Sequence, residues 1–417
     1  MAMAQFRFAH AADLHIDSPF RGLRDQDTRV AARLREATYE AFRNLIALCI
    51  DEKVDFLVIA GDVYDGDDRS VRAQLRFRDG LAELAHNGIE TFVVHGNHDP
   101  LDGWQSAISW PDGVHIFRDK PEWRYATRAG ERLAAVQGVS FPTREVRENL
   151  AVQFAPPPGD LFTIGLLHAN VGGNPDHDNY APCTVDDLRQ TGLDYWALGH
   201  VHTRQTLRRS NPVIAYPGNS QGRHPNETGA RGCLLVDVDE SRNVKSEFRA
   251  LDVVRWETAE VSIDGVQTID ALVSAIEQRL DDLGARAENR DVVCRLTLIG
   301  RGLMHHELSH DGALADILDT VRSSGGSTSP WVWVERIAGA TRPAMDLAER
   351  ARSDDFLGAV LSRALTEDDA TSQRIADSLA EVYTGRRSGL PKPTEEQFAR
   401  WSEEARWKLV ELLEPEA

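Results

Sequence analysis

Residues 54–65 read VDFLVIAGDVYD. An unbroken apolar run that stops at Gly61-Asp62 predicts a buried strand ended by a tight polar turn. The same design recurs in FRFAHAAD (6–13), ETFVVHGN (90–97), LFTIGLLH (161–168) and DYWALGH (194–200). Helical patterns separate the first three runs. One spans roughly 29–50, with Val30, Leu34, Ala37, Ala41, Leu45 and Leu48 at helical spacing; the other spans roughly 69–86 and is closed by Asn87-Gly88. Strand–helix–strand alternation predicts a layered α/β domain. PVIAYPG (212–218) and GCLLVDVD (232–239) add further strands.

The pattern changes after about residue 252. RWETAEVSI (255–263), a helix near 267–283, VVCRLTLIG (292–300), a helix near 303–322 and WVWVERI (331–337) predict a small β-α-β-α-β unit. From 344 onward the chain reads as helical, with a break at TGRRSGLPKP (384–393). Thr394-Glu395-Glu396-Gln397 is a capping box. The helix after it carries Phe398, Trp401, Ala405, Leu409 and Leu412 on one expected stripe. Three parts follow: 1–252, 253–340 and 341–417.

Composition narrows the functional classes. With 417 residues, 41% hydrophobic and 27% charged, the chain can bury real cores, and wholesale disorder is excluded. It has no run of about 18 apolar residues and no basic, then apolar, leader, so a soluble cytoplasmic protein away from membranes is expected. Four dispersed cysteines without a CxxC pair fit a reducing compartment. The net charge of −19 divides into −7 over residues 1–250 and −12 beyond. Such a chain is no general nucleic-acid coat, because phosphates would be repelled. It can still act on phosphates where cations and a local basic face receive them.

Five predicted strand ends deliver side chains able to ligate metals: Asp13 and His15; Asp62; Asn97 with His98 and Asp99; His168; and His200 with His202. Ligands of open α/β sheets gather beyond the carboxyl ends of the strands, so five ends can meet in one crevice. If the chain stays extended, residues i and i+2 point the same way, and Asp13/His15 and His200/His202 each aim two groups at one site. That arrangement suits two divalent ions, and mixed carboxylate, amide and imidazole donors suit manganese, with zinc, iron or magnesium as alternatives. Any one of these pieces alone is an ordinary turn; five in this order are not.

The series Asp13-x-His15, Gly61-Asp62, Gly96-Asn97-His98-Asp99, His168 and Gly199-His200-x-His202 resembles the calcineurin-like metallophosphoesterases. The longer stretches ADLHIDSPFRGL, HGNHDP, DYWALGHVH and YPGNSQGRHPNETG resemble the SbcD-type, YhaO-like DNA repair exonucleases. The resemblance implies an α/β metallophosphoesterase sandwich (1–252), a small α+β capping domain (253–340) and a helical C-terminal region for docking an ATPase (341–417). It implies that Asp13, His15 and His202 hold one metal, that Asn97, His168 and His200 hold the other, and that Asp62 bridges them. A metal-acidified water would attack phosphorus in line. His98 would face the leaving oxygen, with Asp99 holding its other nitrogen and Asp65 in reach of an imidazole. The implied partners are DNA, an SbcC-like coiled-coil ABC ATPase and a second copy of the chain. A phosphodiesterase of small nucleotides and a non-catalytic scaffold that recruits an ATPase to DNA ends are the rival readings.

Substrate contacts are less sharply marked. Arg69, Arg72 and Arg76 share a helical face after the Asp62 loop and could track a phosphodiester backbone, or simply pair with neighbouring carboxylates. Arg204, Arg208 and Arg209, and the loop residues Arg223 and His224, pose the same choice. His306-Glu307-Leu308-Ser309-His310 matches the HExxH pattern of zinc peptidases. It lies in the small second unit before a helix-breaking Asp311-Gly312 and lacks a third ligand, so it is read as a chance match. Trp401 and Trp407 could anchor a partner or pack on the chain's own helices.

Overall fold

The computed structural model describes residues 4–18, 28–65, 70–103, 108–156, 159–173, 178–324, 330–366, 374–375, 377–378 and 394–413. By compactness the chain forms two units: Met1–Ala259, Leu280–Arg295 and Ser324–Arg336 in the first, and Glu260–Arg279, Leu296–Ser323 and Ile337–Ala417 in the second.

The apolar runs become strands β1 (Phe6–Ala11), β2 (Phe56–Ala60) and β3 (Glu90–Val94), with helices α1 (Thr28–Asp51) and α2 (Val71–His86) between them. Ser70 caps α2 by accepting the Ala73 N–H, and Asn87 and Gly88 end it, Gly88 at φ +74°. Next come β4 (Val114–Ile116), β5 (Glu122–Arg128), β6 (Glu131–Val139), β7 (Phe162–His168), the short helix α3 (Val185–Gln190) and β8 (Tyr195–Gly199). The domain is completed by β9 (Gln205–Arg209), β10 (Val213–Tyr216), β11 (Gly232–Val238) and β12 (Val244–Ala250).

These strands make two mixed six-stranded sheets, ordered β12-β11-β1-β2-β3-β4 and β5-β6-β7-β8-β10-β9. The inner strands β1, β2 and β3 run parallel, as do β6, β7, β8 and β10. Parallel strands buried on both faces need the continuous apolar runs that the sequence shows. The inner faces form one core, where Phe8 stacks on Phe56 at 5.1 Å and meets Tyr195 edge-on at 5.3 Å. Outside the first sheet, Phe42, Leu45 and Ile46 of α1 and Phe77, Leu81 and Leu84 of α2 cover Leu57, Ile59 and Val93. Outside the second, Leu188 of α3 packs near the fully buried Trp196, whose indole N–H donates to the Leu188 carbonyl. The result is a helix–sheet–sheet–helix sandwich in which the carboxyl ends of β1, β2, β3, β7 and β8 gather.

A third sheet, β13-β14-β15, is built from Val254–Ser262, Asp291–Ile299 and Val332–Gly339, with helix α4 (Ile269–Arg286) after its first strand. In the first unit Val254, Trp256 and Val293 pack with Val30, Leu34 and Ala37 of α1. The helix expected near 303–322 is two, α5 (Met304–Ser309) and α6 (Ala313–Ser324), interrupted at Asp311-Gly312, where Gly312 has φ +88°. In the second unit α7 (Leu347–Arg350), α8 (Phe356–Leu365) and α9 (Glu395–Leu413) follow. The stripe expected on α9 is rotated. Trp407 and Val410 are the buried positions, packed on Leu357 and Leu361 of α8, while Ala405 and Leu412 are exposed. Arg301 and Arg342 cover the Trp407 ring, so that indole is spent within its own unit. The expected break at 384–393 lies outside the described residues. No helix among the described residues is long and apolar enough to cross a membrane.

Candidate metal centre

Of the converging side chains, His168 ends strand β7, but four others do not sit on extended backbone. Asp13, His15, Asp62 and His200 all adopt left-handed φ, at 51°, 44°, 50° and 97°. Such conformations are costly for residues with a side chain and persist where surrounding structure fixes them. Here each strand ends one to four residues earlier, and the turn re-aims the side chains that follow inward. The i, i+2 geometry expected for Asp13/His15 and His200/His202 is therefore replaced by turns. His200 and His202 point to different neighbours.

Two glycines permit the approach. A Cβ on Gly96 would strike Asp62 Oδ1 and the His168 ring, and a Cβ on Gly199 would strike the Ala60 carbonyl. The strand ends of the two sheets can close on one another only because both positions lack a side chain.

The donor set is nearly all buried. His168 donates its Nδ1–H to the Ala60 carbonyl at 2.8 Å, which leaves the Nε2 lone pair facing Asp62 Oδ2 at 3.3 Å and Asn97 Oδ1 at 3.0 Å. His200 donates Nε2–H to the Asp178 carbonyl at 2.7 Å, and its Nδ1 lies 3.2 Å from the same Asn97 oxygen. His202 donates Nδ1–H to Glu227 Oε1 at 2.6 Å, so its Nε2 lone pair faces His15 Nε2 at 3.4 Å and Asp13 Oδ1 at 3.9 Å. Asp62 Oδ2 is 3.8 Å from His15 Nε2, so this one oxygen lies within 4 Å of both the His15 and the His168 imidazole. The ligand atoms of Asp13, His15 and His202 all lie within 4.8 Å of one another, as do those of Asp13, Asp62 and His168.

This is an arrangement of acceptors facing acceptors. Three imidazoles have spent their protons on oxygens behind them, and their remaining lone pairs converge with two buried carboxylates. Lone pairs so placed repel unless positive charge enters. Protons alone answer part of the demand: burial works to neutralise His168, yet Asp62 overrides it and holds that imidazole up to about 9. Burial, helped by Arg223, keeps His15 well below its ordinary range, so that nitrogen stays a lone-pair donor. Divalent cations fit the whole set, with oxygen and nitrogen donors of the mixed kind.

His98 borders these donors: ligand atoms of His15, Asp65 and His98 also lie within 4.8 Å of one another. Its backbone N–H donates to Asp62 Oδ1 at 2.9 Å and its ring meets the His15 ring edge-on at 4.9 Å. Its side chain is 29% exposed, while those of His15 and His168 are fully buried. Its Nδ1 is held by Asp65 Oδ1 at 2.9 Å and not by Asp99. Asp99 instead accepts the Val63 N–H at 2.9 Å and the Gly96 N–H at 2.8 Å, and its carboxylate lies 3.0 Å from His95 Nδ1. It ties the Asp62 turn to the Gly96 turn. A carboxylate one residue after His98 cannot fold back to its ring while accepting those two amides. Burial opposes ionisation of Asp65, but His98, Arg223 and Ser18 hold its carboxyl down at about 2.

The expected substrate cations are mostly engaged elsewhere. Arg72 pairs with Asp17 at 2.7 Å, and Arg76 with Glu36 at 3.0 Å while covering the Tyr39 ring. Arg204 lies over Phe248, and the exposed His224 accepts the Asn226 N–H. Arg69 lies outside the described residues. Arg223 is the exception: its guanidinium donates to Ser18 Oγ at 2.8 Å and reaches Asp65 Oδ2 at 3.3 Å, beside His98. The HExxH match runs off the end of the six-residue α5, with His310 just past it and both His306 and His310 exposed, and among the described residues no third ligand group gathers with them.

Asp178, Glu227 and Arg231 escaped the sequence reading. Asp178 acts through its carbonyl, which any residue could supply. Arg231 donates to the His202 carbonyl and to Asn219 Oδ1. Glu227 lies inside the YPGNSQGRHPNETG stretch, where a lone carboxylate near Asn-Glu-Thr-Gly reads as turn chemistry.

Comparison with known proteins gives a consistent picture. The family model of calcineurin-like phosphoesterases matches residues 6–204, and that of the middle domain of the metallophosphoesterase YhaO matches 256–342. The chain is 36% identical over 357 residues to the uncharacterized metallophosphoesterase YhaO of Bacillus subtilis, covering 85% of this chain and 86% of that one. It is 30% identical over 287 residues to the DNA double-strand break repair protein Mre11 of Methanopyrus kandleri, covering 60% of each. To a subunit of the nuclease SbcCD of Bacillus subtilis it is 24% identical over 296 residues, covering 61% of this chain and 72% of that one.

Proposed function

This chain belongs to the calcineurin-like phosphoesterase family, and from that premise we propose that it hydrolyses DNA phosphodiester bonds in DNA repair, as an exonuclease or endonuclease, with manganese as its metal. One observation carries the reading: Asp62 Oδ2 is shared by the nitrogens of His15 and His168, at 3.8 and 3.3 Å, each near further acceptors. Asp13, His15 and His202 would hold one cation, Asn97, His168 and His200 the other, and Asp62 both. When bound, such a pair supplies charge for the phosphate oxygens and an acidified water.

The chain's own residues do the rest. The backbone N–H of His200 donates to both oxygens of Asp13 at 3.1 and 3.2 Å and fixes that carboxylate. Glu227, Asp178 and Ala60 fix the protons on the outer nitrogens of His202, His200 and His168. His98, oriented by Asp65, offers Nε2 to the leaving oxygen and donates a hydrogen bond or its proton. Arg223 is the cation best placed to meet a phosphate, by exchanging Asp65 or Ser18 for it. Arg72, Arg76, Arg204 and His224 would join a DNA path only by leaving their present partners.

DNA as substrate is favoured by relatives that are named a nuclease subunit and a double-strand break repair protein. A net charge of −19 gives this chain little hold on a duplex by itself. A cytoplasmic SbcC-like coiled-coil ATPase that clamps DNA, docked by the helical region 341–417 of a homodimer, supplies what is missing. The division into catalytic, capping and docking parts belongs to the same proposal.

The test compares linear DNA with bis-p-nitrophenyl phosphate in Mn2+, with and without the ATPase. Cleavage of DNA, stimulated by the partner, is expected. Activity on the small ester alone, even with the partner present, would replace DNA by a small-nucleotide substrate. No hydrolysis of either would leave only a scaffold.

A further inference from the structure

The imidazoles of His168 and His200 are held by main-chain carbonyls; that of His202 is held by a partly buried carboxylate in a loop that the catalytic motifs do not include. Glu227 Oε1 lies 2.6 Å from His202 Nδ1, while Oε2 accepts the Arg223 backbone N–H at 2.6 Å and Asn219 Nδ2 at 2.9 Å. Asn219 also donates to the Gln221 carbonyl, and Arg231 donates to Asn219 Oδ1 and to the His202 carbonyl. The loop from Gly218 to Gly229 thus closes on the His202 backbone through the Asn219 N–H at 3.3 Å and on its imidazole through Glu227, with Arg223 on its far side aimed at Asp65 and Ser18.

We propose that Glu227 is a positioning residue that fixes the tautomer and aim of His202, so that one half of the cation site is set by the Gly218–Gly229 loop. Three donors converge on this side chain, and a carboxylate is the only protein group that accepts from all of them and donates to none. His202 must then carry its proton on Nδ1 and turn the Nε2 lone pair toward Asp13 and His15. Glutamine has the same shape but one acceptor oxygen. If that oxygen faces Arg223 and Asn219, the amide NH2 faces His202. Its Nδ1 then has to accept, and the ring proton moves to Nε2, into the site. The other half of the site has no such dependence, because His168 and His200 donate to main-chain carbonyls.

The inference rests on the two-cation reading, so the test is arranged to separate them. Mn2+ alone is titrated into the full chain by calorimetry and electron paramagnetic resonance, in wild type and in Glu227→Gln. Two bound ions are expected in wild type. In Glu227→Gln one binding step weakens roughly 10–100-fold and the other holds. Nitrogen-15 spectra of the metal-free, histidine-labelled chain should move one imidazole from the Nδ1–H to the Nε2–H form. Asn226→Ala is the control, since it changes an exposed side chain of the same loop and keeps the backbone N–H that His224 accepts, and it should leave both steps within twofold. If Glu227→Gln does not fold, Asn219→Ala loosens Glu227 from one side and should weaken the same step by a smaller factor. Unchanged steps, equal loss at both steps, or an unchanged tautomer would overturn the role of Glu227. A wild-type chain that binds no Mn2+ would overturn the two-cation reading itself.

Discussion

Strand β2 is five residues long and has an aspartate near each end. At its amino end Asp55 receives Arg128 Nε at 2.6 Å, Arg128 Nη2 at 2.7 Å and the Arg7 backbone N–H at 2.9 Å. Beyond its carboxyl end Asp62 receives the His98 backbone N–H, and its other oxygen faces imidazole nitrogens. The amino end also borders a cavity of about 630 Å³, lined in part by Lys53, Asp55, Glu90 and Arg128. Its Asp55 and Glu90 carboxylates are matched by donors: Arg128 serves the first, and Glu90 Oε2 accepts the Thr127 N–H at 2.7 Å and the Thr127 hydroxyl at 3.2 Å. Neither the size of a cavity nor a count of charges separates the two ends. Matching of acceptors to donors does. One end was built to be finished by the protein, and the other to be finished by something it binds.

Exchanging the two aspartates, one at a time, is the sharpest way to break this contrast. Asp62→Asn should lower phosphodiester turnover about a thousandfold or more, because the shared charge between the two halves disappears. It should also lose bound Mn2+ without lowering the melting temperature. A variant that keeps both ions and normal turnover would remove the distinction. His98→Gln separates binding from chemistry at the same end. The cation count should stay at the wild-type value while kcat falls roughly 10²–10⁴-fold. Unchanged kcat would take His98 out of the reaction.

Asp55→Asn is the counterpart and the smallest effect. It should cost about 1–3 kcal/mol in a denaturant titration, because Arg128 and the Arg7 amide lose their bidentate acceptor. Turnover should not change. A loss of turnover without a loss of stability would mean that the amino end also takes part in the reaction.

The same contrast explains what was legible in the sequence. The buried parallel strands were, since apolar runs such as FLVIA leave no polar alternative, and α1 and α2 followed from their spacing. The hairpin β5–β6 was not. EWRYATR is half exposed and mixes Arg and Glu with Tyr and Ala, so no clean period marks it. On α9 the apolar residues offer two faces, and packing against Leu357 and Leu361 chose the one with Trp407 and Val410. At the site, the seven side chains that converge could be named from motifs, because their identity is chemical. Their supports could not. Asp65 rather than Asp99 reaches His98, since that depends on how two turns cross. Glu227 and the Asp178 carbonyl depend on loop paths that no local spacing encodes. The left-handed turns at Asp13, His15, Asp62 and His200 were likewise invisible to a reading that assumed extended chain.

The central claim is that Asp62 stands between two divalent cations. Crystals grown with Mn2+ and measured for anomalous scattering address it directly. The account predicts two peaks flanking the Asp62 carboxylate, about 3.5–4 Å apart, one beside His15 and His202 and the other beside His168 and His200. A single peak, or two peaks that do not share Asp62, would contradict it.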